Sequence, residues 1–127
     1  MIRKIYKFGG ASVKDADAVR NLKNIIEKEN REDLMLVISA MGKTTNAIEK
    51  ALSDFRRNNG HLEITALSEI IGFHENIMID LFDGNTSHPV FEVMTNLFLD
   101  LYLNLQETGF DYDYQYDNTV SFGEILS

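Results

Sequence analysis

No cysteine occurs anywhere in the chain, which excludes disulfides and thiolate-held metals and fits a reducing compartment. Long apolar runs are also missing: no stretch approaches the roughly 20 residues that a membrane helix needs. Charges interrupt the apolar residues of the first eight, Met1-Ile2-Arg3-Lys4-Ile5-Tyr6-Lys7-Phe8, so they do not read as an export signal. Basic charge is scarce, with 12 Lys and Arg against 20 Asp and Glu and a formal net charge of -8. Without a basic patch, such a chain repels nucleic-acid phosphates and anionic lipid, so neither is an expected partner. The expected location is the cytoplasm.

What is present suits one soluble globular domain. Over 127 residues, 44% are hydrophobic, 25% charged and 10% aromatic, enough apolar material for a core and nothing that suggests disorder. Ile2 to Phe8 alternate loosely and stop at Gly9-Gly10, a strand entering a glycine turn. Asp15 is placed to cap a helix through Val19, Leu22, Ile25 and Ile26, which the polar run Glu27 to Asp33 ends. Leu34-Met35-Leu36-Val37-Ile38 is continuously apolar and predicts a strand buried on both faces, as in a parallel sheet. Together these make a βαβ unit with a right-handed crossover.

Ile48, Leu52 and Phe55 predict a helix that ends near Asn58-Asn59-Gly60. One stripe follows through Leu67, Ile70, Ile71, His74, Met78, Leu81 and Phe82, and another from Val90 through Val93, Met94, Leu97, Phe98, Leu101 and Leu105. Between them lie the break Asp83-Gly84-Asn85 and the only proline, Pro89, so the pair predicts an antiparallel helical hairpin closed by Thr108-Gly109. Phe110 to Asp117 reads as strand or loop. Ser121 opens a last element that is cut off at Ser127, so the chain is expected to be a fragment.

Several motifs can carry chemistry. Lys7-Phe8-Gly9-Gly10-Ala11-Ser12 sets a lysine at a strand end, two glycines after it and a hydroxyl before a helix. Glycines let backbone N–H groups approach a phosphate, and lysine adds a mobile charge. Taken alone, the same residues are an ordinary turn beside a solvated lysine. Ser39-Ala40-Met41-Gly42-Lys43-Thr44-Thr45-Asn46 ends like a P-loop, but Val37 stands where that motif needs its first glycine. It reads as a hydroxyl-lined loop at the carboxyl end of a strand, where α/β sheets bind ligands, or as a loop in which Thr45 merely caps a helix. Ser121 and Glu124 fit a capping box, although a carboxylate there can also receive an ammonium group. His61, His74 and His88 are too far apart for a helical metal pair, and Asp111 to Tyr116 lack the glycine and closing glutamate of a calcium loop. No metal ligand is evident.

The ordered trio formed by Lys7 to Val13, Val37 to Asn46 and Ser121-Phe122-Gly123-Glu124-Ile125-Leu126-Ser127 resembles aspartate kinase, within the amino-acid kinase superfamily. Ala11 departs from the family pattern, which usually has threonine. The resemblance implies an incomplete α/β three-layer sandwich with a mainly parallel sheet, carbamate kinase-like, with a helical hairpin insertion. Residues 1–127 would form the amino-terminal part of its catalytic domain. It further implies transfer of the terminal phosphoryl of ATP to the side-chain carboxylate of L-aspartate, with Mg2+, in the synthesis of lysine, threonine and methionine. Lys7, Gly9, Gly10 and Ser12 would hold phosphate, Lys7 being catalytic, while Ser39, Thr45 and Glu124 would hold aspartate. The adenine-binding region would lie beyond Ser127, so this piece alone is expected to be inactive. Other amino-acid kinases and a non-catalytic dimerisation module are the alternatives, and a homodimer is expected.

Overall fold

A computed structural model describes residues 1–57, 64–106 and 112–127. Strand β1 (Lys4–Phe8) leads through a 3-10 turn, Gly10–Val13, into helix α1 (Ala16–Glu27), and β2 (Leu34–Ile38) follows a second turn at Arg31–Asp33. The two strands pair in parallel, Lys4 opposite Leu34 and Phe8 opposite Ile38. Asp15 starts α1 as its sequence position suggests. Its backbone is extended and its carboxylate accepts a hydrogen bond from the Ala18 amide at 2.8 Å, satisfying a donor that the helix itself leaves open.

The expected burial of β2 on both faces does not hold. Side chains alternate along a strand; Phe8 is buried on the side of α1, whereas Ile5, Met35 and Val37 are exposed, at 66%, 42% and 44%. With two strands and one crossover helix, nothing among the described residues covers that second face.

The remainder is helical: α2 (Thr44–Arg57), α3 (Ile64–Leu81), α4 (Pro89–Leu105), α5 (Tyr112–Val120) and α6 (Phe122–Leu126). Helix α3 stops where the Asp83-Gly84-Asn85 break predicts. Asp83 and Gly84 take positive φ, 52° and 78°, while the Gly84 amide donates to Ile79 O and the Asp83 amide to Asp80 O. This is a Schellman closure. Pro89 occupies the first turn of α4, where no amide is needed, and His88 caps that helix with Nδ1 accepting from the Val90 amide at 3.1 Å. The His88 ring stacks on Phe82, which fastens the turn to the end of α3.

Tyr112–Val120 forms helix α5 rather than the strand or loop read from its acidic, aromatic composition. Tertiary contacts override the weak local signal. Gln115 is buried and its side-chain amide donates to the carbonyls of Asn104 and Leu105, the open end of α4, while Arg56 of α2 donates to its Oε1 at 2.6 Å. The expected stops at Asn58-Asn59-Gly60 and Thr108-Gly109 lie outside the described residues, as do the first residues of the Phe110 to Asp117 stretch.

The main core joins α2, α3, α4 and α6 through Ile48, Leu52, Ile70, Phe98, Leu101 and Leu126. A smaller cluster of Val13, Ala16, Met41 and Ile77 ties the βαβ unit to α3, helped at the surface by Arg20, which bonds the carboxylate and carbonyl of Asp80.

His74 continues the apolar stripe of α3, as its spacing suggests, and is 1% exposed. Its Nδ1 lies 2.8 Å from Ile70 O and therefore carries the proton, leaving Nε2 buried with no partner among the described residues. Burial pulls its pKa below the usual 6.5, with the Ile70 bond opposing. A depressed histidine pKa means that the unfolded chain binds the proton first. Stability is therefore complete above pH 6.5 and declines as pH falls below that value. We expect the thermal midpoint to drop between neutral pH and the onset of carboxylate protonation, and His74→Leu to flatten that slope. An unchanged slope in the variant would assign the effect elsewhere.

Candidate functional site

Two loops and helix α6, separated in sequence, meet at two glycines. A methyl group added to Gly10 would lie 2.6 Å from Gly42 O and 3.1 Å from Ala40 O, and the Gly42 amide donates to Gly10 O at 3.0 Å. The loop after β1 thus rests on the loop after β2, backbone against backbone. Likewise, a methyl on Gly123 would stand 2.8 Å from Thr45 Oγ1 and 3.0 Å from Ala40 Cβ, so α6 presses on the start of α2. Only glycine permits either approach. Ala40, which the sequence gives no reason to single out, sits between them and is 3% exposed. A small residue inside a hydroxyl-rich loop was the one available signal.

The structure gives each candidate residue a definite place. Lys7 projects from the uncovered face of β1, opposite Val37 in the register. Gly9 is extended at φ -74°, with open space where a side chain would be. Among the described residues, neither the Gly9 nor the Gly10 amide donates a backbone hydrogen bond. Ser39 begins the second loop, its amide bonded to Phe8 O at 2.9 Å. Thr45 lies in the first turn of α2 and not at its cap; the neighbouring Thr44 hydroxyl donates to Met41 O at 2.6 Å. Ser12 is exposed and lines a crevice with Phe8, Asn21 and Leu22 on the α1 side, the side away from Lys7.

The capping box read from Ser121 and Glu124 is not formed. Helix α5 runs into α6 almost without a break, so Ser121 keeps helical torsions, -59° and -19°, instead of an extended cap, and makes no capping bond. Its hydroxyl donates back to Asn118 O at 3.4 Å. Glu124 is therefore exposed and uncommitted, like Lys7: neither has a hydrogen-bond or ion-pair partner among the described residues. An ammonium group, open amides and an unpaired carboxylate thus belong to one set of touching loops. The Lys7 and Gly9 end fits a phosphate, offering positive charge, free N–H donors and room. Among the described residues, no group of three or more His, Asp or Glu is arranged to hold a metal ion.

Residues 3–127 match the profile of the amino acid kinase family. The chain belongs to that family. Aspartokinase 1, chloroplastic, from Arabidopsis thaliana is 34% identical over 128 aligned residues, covering 97% of this chain and 21% of that protein. The bifunctional aspartokinase/homoserine dehydrogenase 2, chloroplastic, of the same plant is 34% identical over 85 residues, 64% of this chain and 9% of its own length. A crystal structure of E. coli aspartokinase III in complex with lysine and aspartate superposes with a TM-score of 0.74 at 22% identity, over 96% of this chain and 26% of that one. The chain therefore spans between 9% and 26% of the length of these relatives, and the resemblance to aspartokinase read from its three motifs is borne out. No helix among the described residues is long and apolar enough to cross a membrane.

Proposed function

We propose that residues 1–127 are the amino-terminal part of an aspartate kinase catalytic domain, carrying its phosphate-gripping and aspartate-binding elements. The carrying observation is the contact of the three motifs at Gly10 and Gly123, with Lys7 and Glu124 left unpaired. The relatives support the substrate: most carry aspartokinase names, and a second E. coli aspartokinase III structure is a complex with aspartate and ADP.

On this reading Lys7 neutralises charge on the transferring phosphoryl and the amides of Gly9 and Gly10 hold the phosphates, while Ser12, on the α1 side away from Lys7, drops out of that set. The hydroxyls of Ser39 and Thr45 orient the substrate, and Glu124 receives its ammonium group, so that the side-chain carboxylate is directed to the phosphate end. Such positioning and charge stabilisation do most of the work in phosphoryl transfer. ATP with Mg2+ supplies the phosphoryl group and the bridging positive charge when bound. The two strands would be the start of a three-layer sandwich whose further layer covers Ile5, Met35 and Val37. A cytoplasmic homodimer fits the exposed Val93, Leu99 and Leu103 on α4.

Calorimetric titration of L-aspartate into the chain tests the reading. We expect binding that Glu124→Gln weakens tenfold or more, the loss of a hydrogen bond between charged groups. Absence of heat from a folded chain would overturn the claim that these residues form the amino-acid site by themselves. Equal affinity in the variant would remove Glu124 from it.

A further inference from the structure

A second cavity, of about 360 Å³, opens between the loop after β2 and α3. Ala47, Ile70 and Phe73 are among its lining residues, and Lys14, Lys43 and Glu69 line it as well. Gly42 takes φ +56°, and a methyl there would come within 3.1 Å of the Phe73 ring, so loop and aromatic ring are already in contact. Ser39, Thr45 and Glu124 are not among its lining residues, which separates it from the site described above.

The charges are unusual for this chain. In a protein of net charge -8, two lysines share one apolar cavity, and neither has an ion-pair or hydrogen-bond partner among the described residues. Glu69 is likewise unpartnered. A dianionic phosphate ester would suit the lysines but would leave the apolar lining and Phe73 without a partner. A hydrocarbon would fill the cavity but would leave both lysines without a partner. The volume is near the lower end for small-molecule pockets, so the occupant is compact.

We propose that this cavity binds a small carboxylate with an apolar or aromatic body, its carboxylate held by Lys14 and Lys43 and its body laid against Ile70 and Phe73. Both 2-keto acids and apolar α-amino acids have this chemistry, and Glu69 distinguishes them because it can pair only with the amino group. The inference does not rest on the kinase reading, since the cavity shares none of that site's proposed ligands.

Two-dimensional NMR of the ¹⁵N-labelled chain, titrated with phenylpyruvate and separately with L-phenylalanine at millimolar concentration, provides the test. The expected result is saturable shifts at Gly42, Lys43, Thr44 and Phe73, with affinity reduced about tenfold in Lys14→Gln and in Lys43→Gln. Both lysines are exposed and unbonded, so these variants fold, which an unchanged spectrum elsewhere verifies. Weakening of phenylalanine alone by Glu69→Gln identifies an amino acid as the occupant; phenylpyruvate binding without phenylalanine identifies a simple carboxylate. Shifts confined to other surfaces, no shifts with either compound, or affinity untouched in both lysine variants would overturn the proposal. No turnover is measured, so the result is independent of whether aspartate is phosphorylated.

Discussion

Gly10→Ala is expected to destabilise the chain by about 3 kcal/mol, combining overpacking with loss of the Gly42 to Gly10 hydrogen bond. The added methyl would meet the carbonyl oxygens of Gly42 and Ala40 at 2.6 and 3.1 Å. Both are backbone atoms, so no rotamer change relieves the clash and the two loops must move apart. Gly9→Ala, one residue earlier, is the control. That position has no heavy atom within 4 Å of the new methyl and an ordinary φ of -74°, so folding should change by less than about 1 kcal/mol, in the stabilising direction. Urea denaturation of both variants checks the contrast. Equal losses at the two glycines would show that they serve only as a flexible turn. Because Gly9 offers its open side to the proposed phosphate, its variant is also expected to fold normally while binding ATP less well.

The second large effect lies in the helical half. Leu101 is 0% exposed and packs in the core shared by α2, α3, α4 and α6. Leu101→Ala removes buried methyl groups and leaves a cavity that its neighbours fill only partly, which costs about 2–5 kcal/mol. Leu99 and Leu103 flank it on the same helix and are 55% and 52% exposed in the single chain; in a monomer their alanine variants would stay within about 0.5 kcal/mol of the parent, so a larger loss is the sign of the proposed homodimer. Three leucines within five positions thus provide an internal comparison read by denaturation midpoint. Substantial losses at Leu99 or Leu103 would mean that those side chains are covered in solution, as a homodimer through α4 requires. Dilution would then lower the midpoint.

Local signals were legible where the interactions are themselves local. The Asp15 cap, the Asp83-Gly84 stop, Pro89 in the first turn of α4 and the apolar stripes of α3 and α4 all act within a few residues, and each was readable from spacing alone. The trio of motifs also identified the family, because it is a pattern of order and residue type. Failures came where distant parts decide. The apolar run of β2 says that the strand belongs in a sheet, but only the count of neighbouring layers determines whether both faces are covered. Tyr112–Val120 has a weak helical pattern and is held as α5 by Gln115 reaching the end of α4 and by Arg56 from α2. Ser121 and Glu124 have capping-box spacing, yet the continuity of α5 into α6 gives Ser121 the wrong torsions for a cap.

By itself, then, the sequence determined the βαβ start, the helices α2, α3 and α4, the family and the residue types of the candidate site. Those depend on periodicity, capping chemistry and motif order, all carried by neighbours along the chain. Tertiary structure decided why Gly10 and Gly123 must be glycine, that Glu124 is free of its local partner, and that Lys14 and Lys43 share a cavity with Phe73. The glycine contacts and the cavity join segments separated by tens of residues, where steric fit has no signature in local spacing, and Glu124 is freed because α5, itself held by distant contacts, runs into α6.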